Sequence, residues 1–243
     1  MTVSFEFFPP NNGNFSRVGD HLVKLLRFAP KFLSVTFGAG GSAEDKSLEL
    51  IRELRKRSPT KVIAHLTLVD KTKDKVNEIS GQFRELGIET ILAVRGDSPS
   101  QKYKSREGGF KDTSEFVNHL KHQGFDVFVS AYAEPHPESP NIEHDLELLK
   151  KKADAGATSA ITQFCFDLDK LADLKNVLIR DNVALELIPG VMPVRNIENL
   201  KRMADRCGIK IPKDIGNGVH IKNHIIQVMK NLGVIKIKLI NQR

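Results

Sequence analysis

Val3-Ser-Phe-Glu-Phe-Phe-Pro-Pro10 is a short aromatic strand with a single carboxylate, Glu6, near its carboxyl end. Pro9 and Pro10 have no N–H group for a hydrogen-bonded ladder, so we predict that the strand ends before them. Burying a charged Glu6 in such a strand costs several kcal/mol unless the carboxyl is paired or protonated. For one isolated residue, the simpler interpretation is a glutamate on an edge strand that points to water. The rest of the chain decides between this interpretation and a buried, functional carboxyl.

Apolar strands of this kind recur along the chain, and stretches with helical periodicity lie between them. In Lys71–Leu86, for example, the apolar residues keep the three- and four-residue spacing of an amphipathic helix. Eight strands alternating with helices over 243 residues predict an α/β fold, a (β/α)8 TIM barrel that forms a single domain over 1–243. A doubly wound open sheet is the alternative, but no Gly-x-Gly-x-x-Gly sequence follows the first strand. The predicted strands begin at Val3, Phe32, Lys61, Thr90, Asp126, Ser159, Leu185 and Val234.

The region between the seventh and eighth predicted strands is long and carries two helical patterns, over about Asn196–Cys207 and Val219–Leu232. The chain then stops at Arg243, directly after the eighth strand, so we expect the barrel to lack its final helix. A barrel without that helix exposes part of its wall, which the second helical pattern or a second subunit must cover. We therefore expect a homo-oligomer.

Composition excludes several classes of protein. Only two cysteines are present, Cys165 and Cys207, which argues against a disulfide framework and a four-cysteine zinc site and fits a reducing, cytoplasmic compartment. No signal peptide is visible and no apolar stretch is long enough to span a membrane. The net charge is +7, but basic and acidic residues are interspersed and no nucleic-acid-binding motif occurs. The positive charge suits a small anionic ligand, or it is simply that of a solvated basic surface.

One polar side chain lies near the carboxyl end of most of the predicted strands. The carboxyl ends of barrel strands face the active site, so these side chains are expected to converge at one mouth. Arg95-Gly96-Asp97 combines a permanent positive charge, a glycine that lets a ligand approach the backbone, and a carboxylate, although a structural Arg–Asp pair is equally compatible with this tripeptide. The strand-end residues are Glu6, Thr36, His65, Arg95 with Asp97, Tyr132 with His136, and Gln163.

The loop after the fifth strand, Tyr132-Ala-Glu-Pro-His136-Pro-Glu138, contains two prolines and is either a stiff ligand-binding loop or a rigid surface loop. Its His-x-Glu sequence lacks the Pro-Cys-x-x-Cys partner of a zinc deaminase, so we predict no metal site. Lys151 and Lys152 on the next helix could reach phosphates, or they belong to a solvated helix face. Gln163 offers both a donor and an acceptor, which match an amide or a pterin edge. An acid, hydrogen-bonding groups and an organic cofactor are therefore predicted to carry the chemistry.

Seven motifs in a fixed order make the sequence resemble the methylenetetrahydrofolate reductase family, from the start of the chain to about residue 212. The resemblance implies a (β/α)8 flavoprotein with FAD as cofactor and NADH or NADPH as co-substrate. It implies reduction of 5,10-methylenetetrahydrofolate to 5-methyltetrahydrofolate by a ping-pong hydride transfer, a step of one-carbon metabolism and methionine biosynthesis. The motifs are SFEFFPP (4–10), FLSVTFGAGG (32–41), AHLT (64–67), LAVRGD (92–97), AYAEPHPE (131–138), KKADAGATSAITQFCFD (151–167) and IPGVMPV (188–194).

The resemblance also implies roles for individual residues. Glu6 matches the general acid, and its neighbours Phe5 and Phe7 predict an apolar setting that raises the pKa of the carboxyl. Asp97 matches a catalytic residue that lies beside the flavin and also holds the pterin. The cofactor-binding positions implied are Thr36, Phe37, Ala39, His65, Arg95, Gly96, Asp97, Thr113, Tyr132, His136, Asp145, Lys151 and Lys152. The substrate-binding positions implied are Glu6, Thr36, Asp97, Gln163, Asn199 and Met203.

Two other interpretations stay open at this point. One is a non-catalytic or partner-dependent folate-binding barrel subunit, which the short C-terminal region favours and the presence of Glu6, Asp97 and Gln163 opposes. The other is a flavin-free pterin methyltransferase barrel. Bound flavin would separate the reductase hypothesis from both.

Overall fold

The computed structural model describes residues 2–10, 13–38, 41–96, 105–192, 197–212 and 234–238. In these ranges strands alternate with helices, as the sequence predicts. The strands are β1 (Thr2–Phe7), β2 (Leu33–Val35), β3 (Val62–Thr67), β4 (Thr90–Val94), β5 (Asp126–Ala131), β6 (Ser159–Thr162), β7 (Glu186–Ile188), β8 (Gly190–Val191) and β9 (Val234–Lys238). The helices are α1 (Ser16–Leu26), α2 (Gly41–Arg57), α3 (Lys73–Glu85), α4 (Thr113–His122), α5 (Ile142–Asp154), α6 (Leu168–Arg180) and α7 (Ile197–Cys207).

The strands form one parallel sheet in the order β7-β6-β5-β4-β3-β2-β1-β9-β8. The outermost strands of this sheet are β7 and β8, and only Pro189 separates them along the chain. They are therefore two parts of one interrupted strand, which closes the sheet into a barrel. The predicted (β/α)8 barrel is confirmed, and each of the eight predicted strand starts is correct to within one residue. Pro189 interrupts the seventh predicted strand between β7 and β8, because proline has no N–H group to continue the ladder.

Side-chain alternation divides the apolar residues of the sheet between two cores, since neighbouring residues of a strand point to opposite faces. The larger outer core lies between the sheet and the helices, where Leu33 of β2 joins Leu50 and Ile51 of α2. The smaller core contains strand-face residues alone and fills the barrel lumen. Its members are Phe32, Ile63, Leu92, Phe128, Ile161 and Ile188.

Helix ends follow local signals in the sequence. The side chains of Thr72 and Asp112 accept hydrogen bonds from backbone N–H groups in the first turns of α3 and α4. Gly87 ends the α3 turn with a φ of +71°, a conformation that glycine adopts at little cost.

The region after β8 is described only in part. The predicted helix over about 196–207 is confirmed as α7, whereas the pattern over 219–232 lies outside the described residues. The described residues end with β9, and in the described ranges no helix is long and apolar enough to cross a membrane.

Candidate active site at the barrel mouth

Polar side chains replace apolar ones toward the carboxyl ends of the strands, on the face that lines the lumen. Side chains two residues apart on a strand share a face. Each polar residue therefore stands one step above a residue of the lumen core, at the end where catalytic groups of β/α barrels lie. The pairs are Phe32 with Ser34, Ile63 with His65, Phe128 with Ser130, and Ile161 with Gln163.

Glu6 lies in this polar layer beside His65. It is 5% exposed, and its Oε2 is 3.6 Å from Nε2 of His65, which is 8% exposed. Phe5 and Phe7 belong to the outer core on the other face of β1, so the prediction that they surround the carboxyl was wrong. A buried carboxyl next to an imidazole forms a pair that can exchange a proton.

Arg95 and Gly96 follow β4 at the mouth. Arg95 forms a bidentate ion pair with Glu138 of the β5–α5 loop, at 2.8 Å from Nη1 to Oε2 and 2.9 Å from Nη2 to Oε1. Gly96 has a φ of +88°, and a Cβ there would lie 2.7 Å from Cγ1 of Val69. Only glycine fits this position, because the positive φ and the close packing against Val69 exclude a side chain.

The β5–α5 loop, residues 132–141, is held by the buried Asp145. Its carboxylate accepts hydrogen bonds from the backbone N of His136 at 2.8 Å and from Oγ of Ser139 at 2.5 Å. The rings of Tyr132 and His136 meet edge to face with their centroids 4.9 Å apart. Burial raises the pKa of Tyr132, so its hydroxyl stays neutral and able to donate a hydrogen bond at neutral pH. Asp145 acts on the site by fixing the loop that carries His136.

Lys152 is buried beneath the same loop. Its Nζ donates a hydrogen bond to the carbonyl oxygen of Ser130 at 2.9 Å. The pKa of Lys152 falls to about 8, mainly because the side chain is buried; the charge of Asp145 opposes this shift and that of Arg95 adds to it. The alternative of a solvated helix face is wrong for Lys152, whereas Lys151 is exposed.

The stability of the protein should depend on pH through Lys152. Its pKa is about 8 in the folded protein against an ordinary 10.5, so between these values the unfolded chain binds more protons and the free energy of unfolding rises with pH. We expect Lys152→Met to lose this rise, and Lys151→Met to keep it. Thermal unfolding across the window measures both variants, and a wild-type advantage over Lys152→Met that stays constant with pH contradicts the prediction.

Gln163 directly follows β6 and meets the end of α7. Its Oε1 accepts a hydrogen bond from the backbone N of Phe164 at 3.1 Å, and its Nε2 donates to Sγ of Cys207 at 3.4 Å. Met203 of α7 packs against a small core that contains Phe164. The structure therefore brings Gln163 and Met203 to the same side of the mouth. Asn199 is exposed on α7, where its Oδ1 accepts a hydrogen bond from Arg202.

The structure does not place the side chains of the other predicted site residues in the barrel mouth as clearly. The Phe37 ring packs edge to face on Phe83 in the outer core, with centroids 5.5 Å apart, so only its backbone can face a ligand at the mouth. Thr36 donates its backbone N–H to the carbonyl of Phe7 at 3.0 Å and thereby fixes the end of β2 beside β1. Thr113 is the first residue of α4. Ala39 and Asp97 lie outside the described residues.

Three charged residues of this region were not predicted. Glu134 and Glu138 lie within the AYAEPHPE motif, so the motif itself was a signal for them. Lys71 is buried, donates a hydrogen bond to Oγ1 of Thr67 at 3.0 Å and lies 3.5 Å from Oε1 of Glu44. No local pattern marks Lys71, because its ion-pair partner Glu44 belongs to the distant helix α2. In the ranges that the structure covers, no cluster of three or more His, Cys, Asp or Glu side chains could hold a metal ion.

Fold and site together define a β/α-barrel protein of the enzyme type, with a buried carboxyl–imidazole pair and a polar mouth formed by the carboxyl ends of its strands. The chain belongs to the methylenetetrahydrofolate reductase family, because the family model described as Methylenetetrahydrofolate reductase matches residues 1–239.

Similar known proteins support both the family assignment and the barrel fold. A 5,10-methylenetetrahydrofolate reductase of Buchnera aphidicola subsp. Acyrthosiphon pisum is 37% identical over 224 residues, which are 90% of this chain and 75% of the relative. The protein of that name from Escherichia coli strain K12 is 36% identical over 214 residues, which are 87% of this chain and 71% of the relative. The crystal structure of 7,8-dihydropteroate synthase from Vibrio fischeri ES114 superposes with a TM-score of 0.58, covering 97% of this chain and 86% of that one. At 13% identity this last similarity concerns the barrel fold alone.

Proposed function

We propose that the chain is an FAD-dependent oxidoreductase that reduces 5,10-methylenetetrahydrofolate to 5-methyltetrahydrofolate with NADH or NADPH in a ping-pong reaction. The observation that carries the proposal is the buried Glu6, 3.6 Å from His65, at the mouth of a barrel of this family. Reduction of the substrate needs a proton on the nitrogen that departs when its five-membered ring opens. A carboxyl group held at the mouth is suited to deliver that proton.

The residues around Gly96 fit a flavin dinucleotide. A Cβ at Gly96 would clash with Cγ1 of Val69, so only glycine allows the turn that follows β4 and places Arg95 at the mouth. The guanidinium of Arg95 offers a permanent charge for a phosphate, and the neutral hydroxyl of Tyr132 offers a hydrogen bond. When bound, FAD supplies a two-electron redox centre. We assign its binding to Thr36, Phe37 through its backbone, Ala39, His65, Arg95, Gly96, Asp97, Thr113, Tyr132, His136, Asp145, Lys151 and Lys152.

The side chains of the chain itself carry the proton and orient the substrate. Glu6 gives its proton to the departing nitrogen, and the imidazole of His65 is close enough to return one. Gln163 presents its amide to the folate, and Asp97 polarises the pterin. We assign Met203 and Asn199 of α7 to the binding of the substrate as well.

The purified protein should be yellow, with FAD bound noncovalently. The buried, ordered donors at the mouth make retention of the cofactor through purification the expected result. An absorbance spectrum, followed by cofactor release on denaturation, measures it. Protein that is colourless and stays inert with NAD(P)H and the folate after incubation with FAD would contradict the reductase and favour a folate-binding subunit or a flavin-free pterin methyltransferase.

We also propose that the protein is a cytoplasmic homo-oligomer. Its two cysteines form no disulfide. Val23, Phe28 and Ile179 are large apolar side chains that stay more than 60% exposed in the described part of the chain, where a second subunit could cover them. Sedimentation velocity tests the assembly, and a strict monomer at working concentrations contradicts it.

A further inference from the structure

Glu134 is a buried carboxylate that joins the β5–α5 loop to α6 and to the segment after α7. It lies two residues after Tyr132 in the β5–α5 loop and is 4% exposed. Its Oε1 accepts a hydrogen bond from Nζ of Lys170 at 2.8 Å, at the start of α6. Its Oε2 accepts one from the backbone N of Lys210 at 3.4 Å, just beyond the end of α7. The carboxylate therefore ties the end of α7 to the loop that carries Tyr132.

Two further contacts hold the end of α7 in the same place. Gly208 has a φ of +68°, and a Cβ there would lie 2.8 Å from Cγ of Pro137 in the β5–α5 loop. Glycine alone therefore allows α7 to end directly against this loop. Next to Gly208, Sγ of Cys207 accepts the hydrogen bond from Gln163. We name this group of contacts, made by residues 207–210 of α7 and its following turn, the α7 latch.

The charge on Glu134 determines how firmly the latch is held. A carboxylate buried this deeply is costly without partners, and hydrogen bonds to an ionised group are stronger than those between neutral groups. The hydrogen bond that Lys170 donates to Glu134 also raises the pKa of Lys170, as expected for a cation stabilised by a buried anion. An amide in place of the carboxylate would retain the shape and lose this stabilisation.

We propose that Glu134 is a positioning residue that sets the distance between two parts of the active site. One part is the β5–α5 loop with Tyr132 and His136, the other the folate side with Gln163 and Met203 on α7. The proposal rests on the function proposed above where it concerns ligands, but the attachment of α7 to the loop is a property of the chain alone. Glu134 acts through the latch and has no part in the chemical step.

The first test uses the two cysteines and needs no activity. In the wild type Cys207 accepts a hydrogen bond within the latch, while Cys165 is buried and burial raises its pKa to about 12. We expect Glu134→Gln to raise the alkylation rate of Cys207 by about tenfold, the ratio that corresponds to one lost charged hydrogen bond. Gly208→Ala should raise this rate as well, because its Cβ would push the end of α7 away from Pro137. Cys165 should stay protected in both variants, which shows that the barrel is intact. Glu186→Gln, at an exposed ion pair with Lys31, is the matched control and should react as the wild type does.

The second test uses kinetics. Glu134→Gln should raise the KM for 5,10-methylenetetrahydrofolate by about tenfold. Flavin content and NAD(P)H oxidation with a quinone acceptor should stay near wild type. Unchanged Cys207 alkylation in both latch variants overturns the proposal even if the protein proves to have no reductase activity. Exposure of Cys165 together with Cys207 also overturns it, because Glu134 would then support the whole barrel. A wild type without flavin or folate turnover, but with the expected alkylation, contradicts the proposed function alone.

Discussion

Replacing Glu6 by glutamine is expected to lower the rate of 5,10-methylenetetrahydrofolate reduction by about 10²–10⁴-fold, the loss usual for a missing general acid. Glutamine keeps the size of the side chain and its ability to hydrogen-bond, so the fold should survive at this buried position. NAD(P)H oxidation with a quinone acceptor in place of the folate requires no proton from Glu6 and should change little. Rapid-mixing absorbance of each half of the reaction measures the two rates separately.

Glu6→Asp provides the matched comparison for this variant. It retains an acid but withdraws it by one methylene from the substrate, so folate reduction should lie between the wild type and Glu6→Gln. If Glu6→Gln slows both half-reactions equally, the carboxyl has a structural role and its assignment as the acid is wrong. Equal folate rates for Glu6→Gln and Glu6→Asp would also count against it, since only one of them can donate a proton.

Gly190→Ala is expected to have the largest effect on stability. A Cβ at this position would lie 2.3 Å from the backbone oxygen of Thr162, where β8 passes the end of β6. The same glycine donates its N–H to Oγ1 of Thr162 at 2.9 Å. Because backbone atoms on both sides must move, the free energy of unfolding should fall by about 3 kcal/mol. Thermal unfolding should show a decrease in Tm of about 6–12 °C.

Gly81→Ala is the control for this substitution. Gly81 lies inside α3, and a Cβ there would meet no atom within 4 Å. Alanine is the better helix former, so this variant should be up to about 1 kcal/mol more stable than the wild type. A Gly190→Ala protein with wild-type Tm would mean that the barrel closes differently around Pro189.

The elements were predictable because each has a local signal. Every strand start was correct to within one residue, since apolar runs separated by stretches of helical period leave little choice of boundary. The polar residues near the ends of most strands were equally visible, and Glu6, His65 and Gln163 do lie at the mouth. The break at Pro189 follows from the sequence too, because a proline four residues after the predicted strand start at Leu185 cannot continue the hydrogen-bonded ladder.

Side-chain environments were less predictable. Phe5 and Phe7 precede and follow Glu6 in sequence but pack on the other face of β1, and Phe37 likewise turns to the outer core. Lys152 follows the exposed Lys151 in sequence, yet it lies on the buried face of α5, and its Nζ donates a hydrogen bond to the carbonyl oxygen of Ser130 in β5. In each case consecutive residues of a strand or helix point in different directions, so a residue's neighbours in sequence do not indicate its surroundings in the structure.

The sequence by itself determined the parallel barrel and the order of its strands. It also determined which strand ends carry acids, imidazoles and amides. Both follow from the spacing of apolar residues, which repeats every two residues in a strand and every 3.6 residues in a helix and can be seen within each short segment. Only the tertiary structure decided the partners: Glu6 with His65, Arg95 with Glu138, and Glu134 with Lys170 and Lys210. Those pairs join separate β/α units, and their distances depend on how the sheet closes. Closure is a collective property of all the strands, so no single segment of sequence contains it.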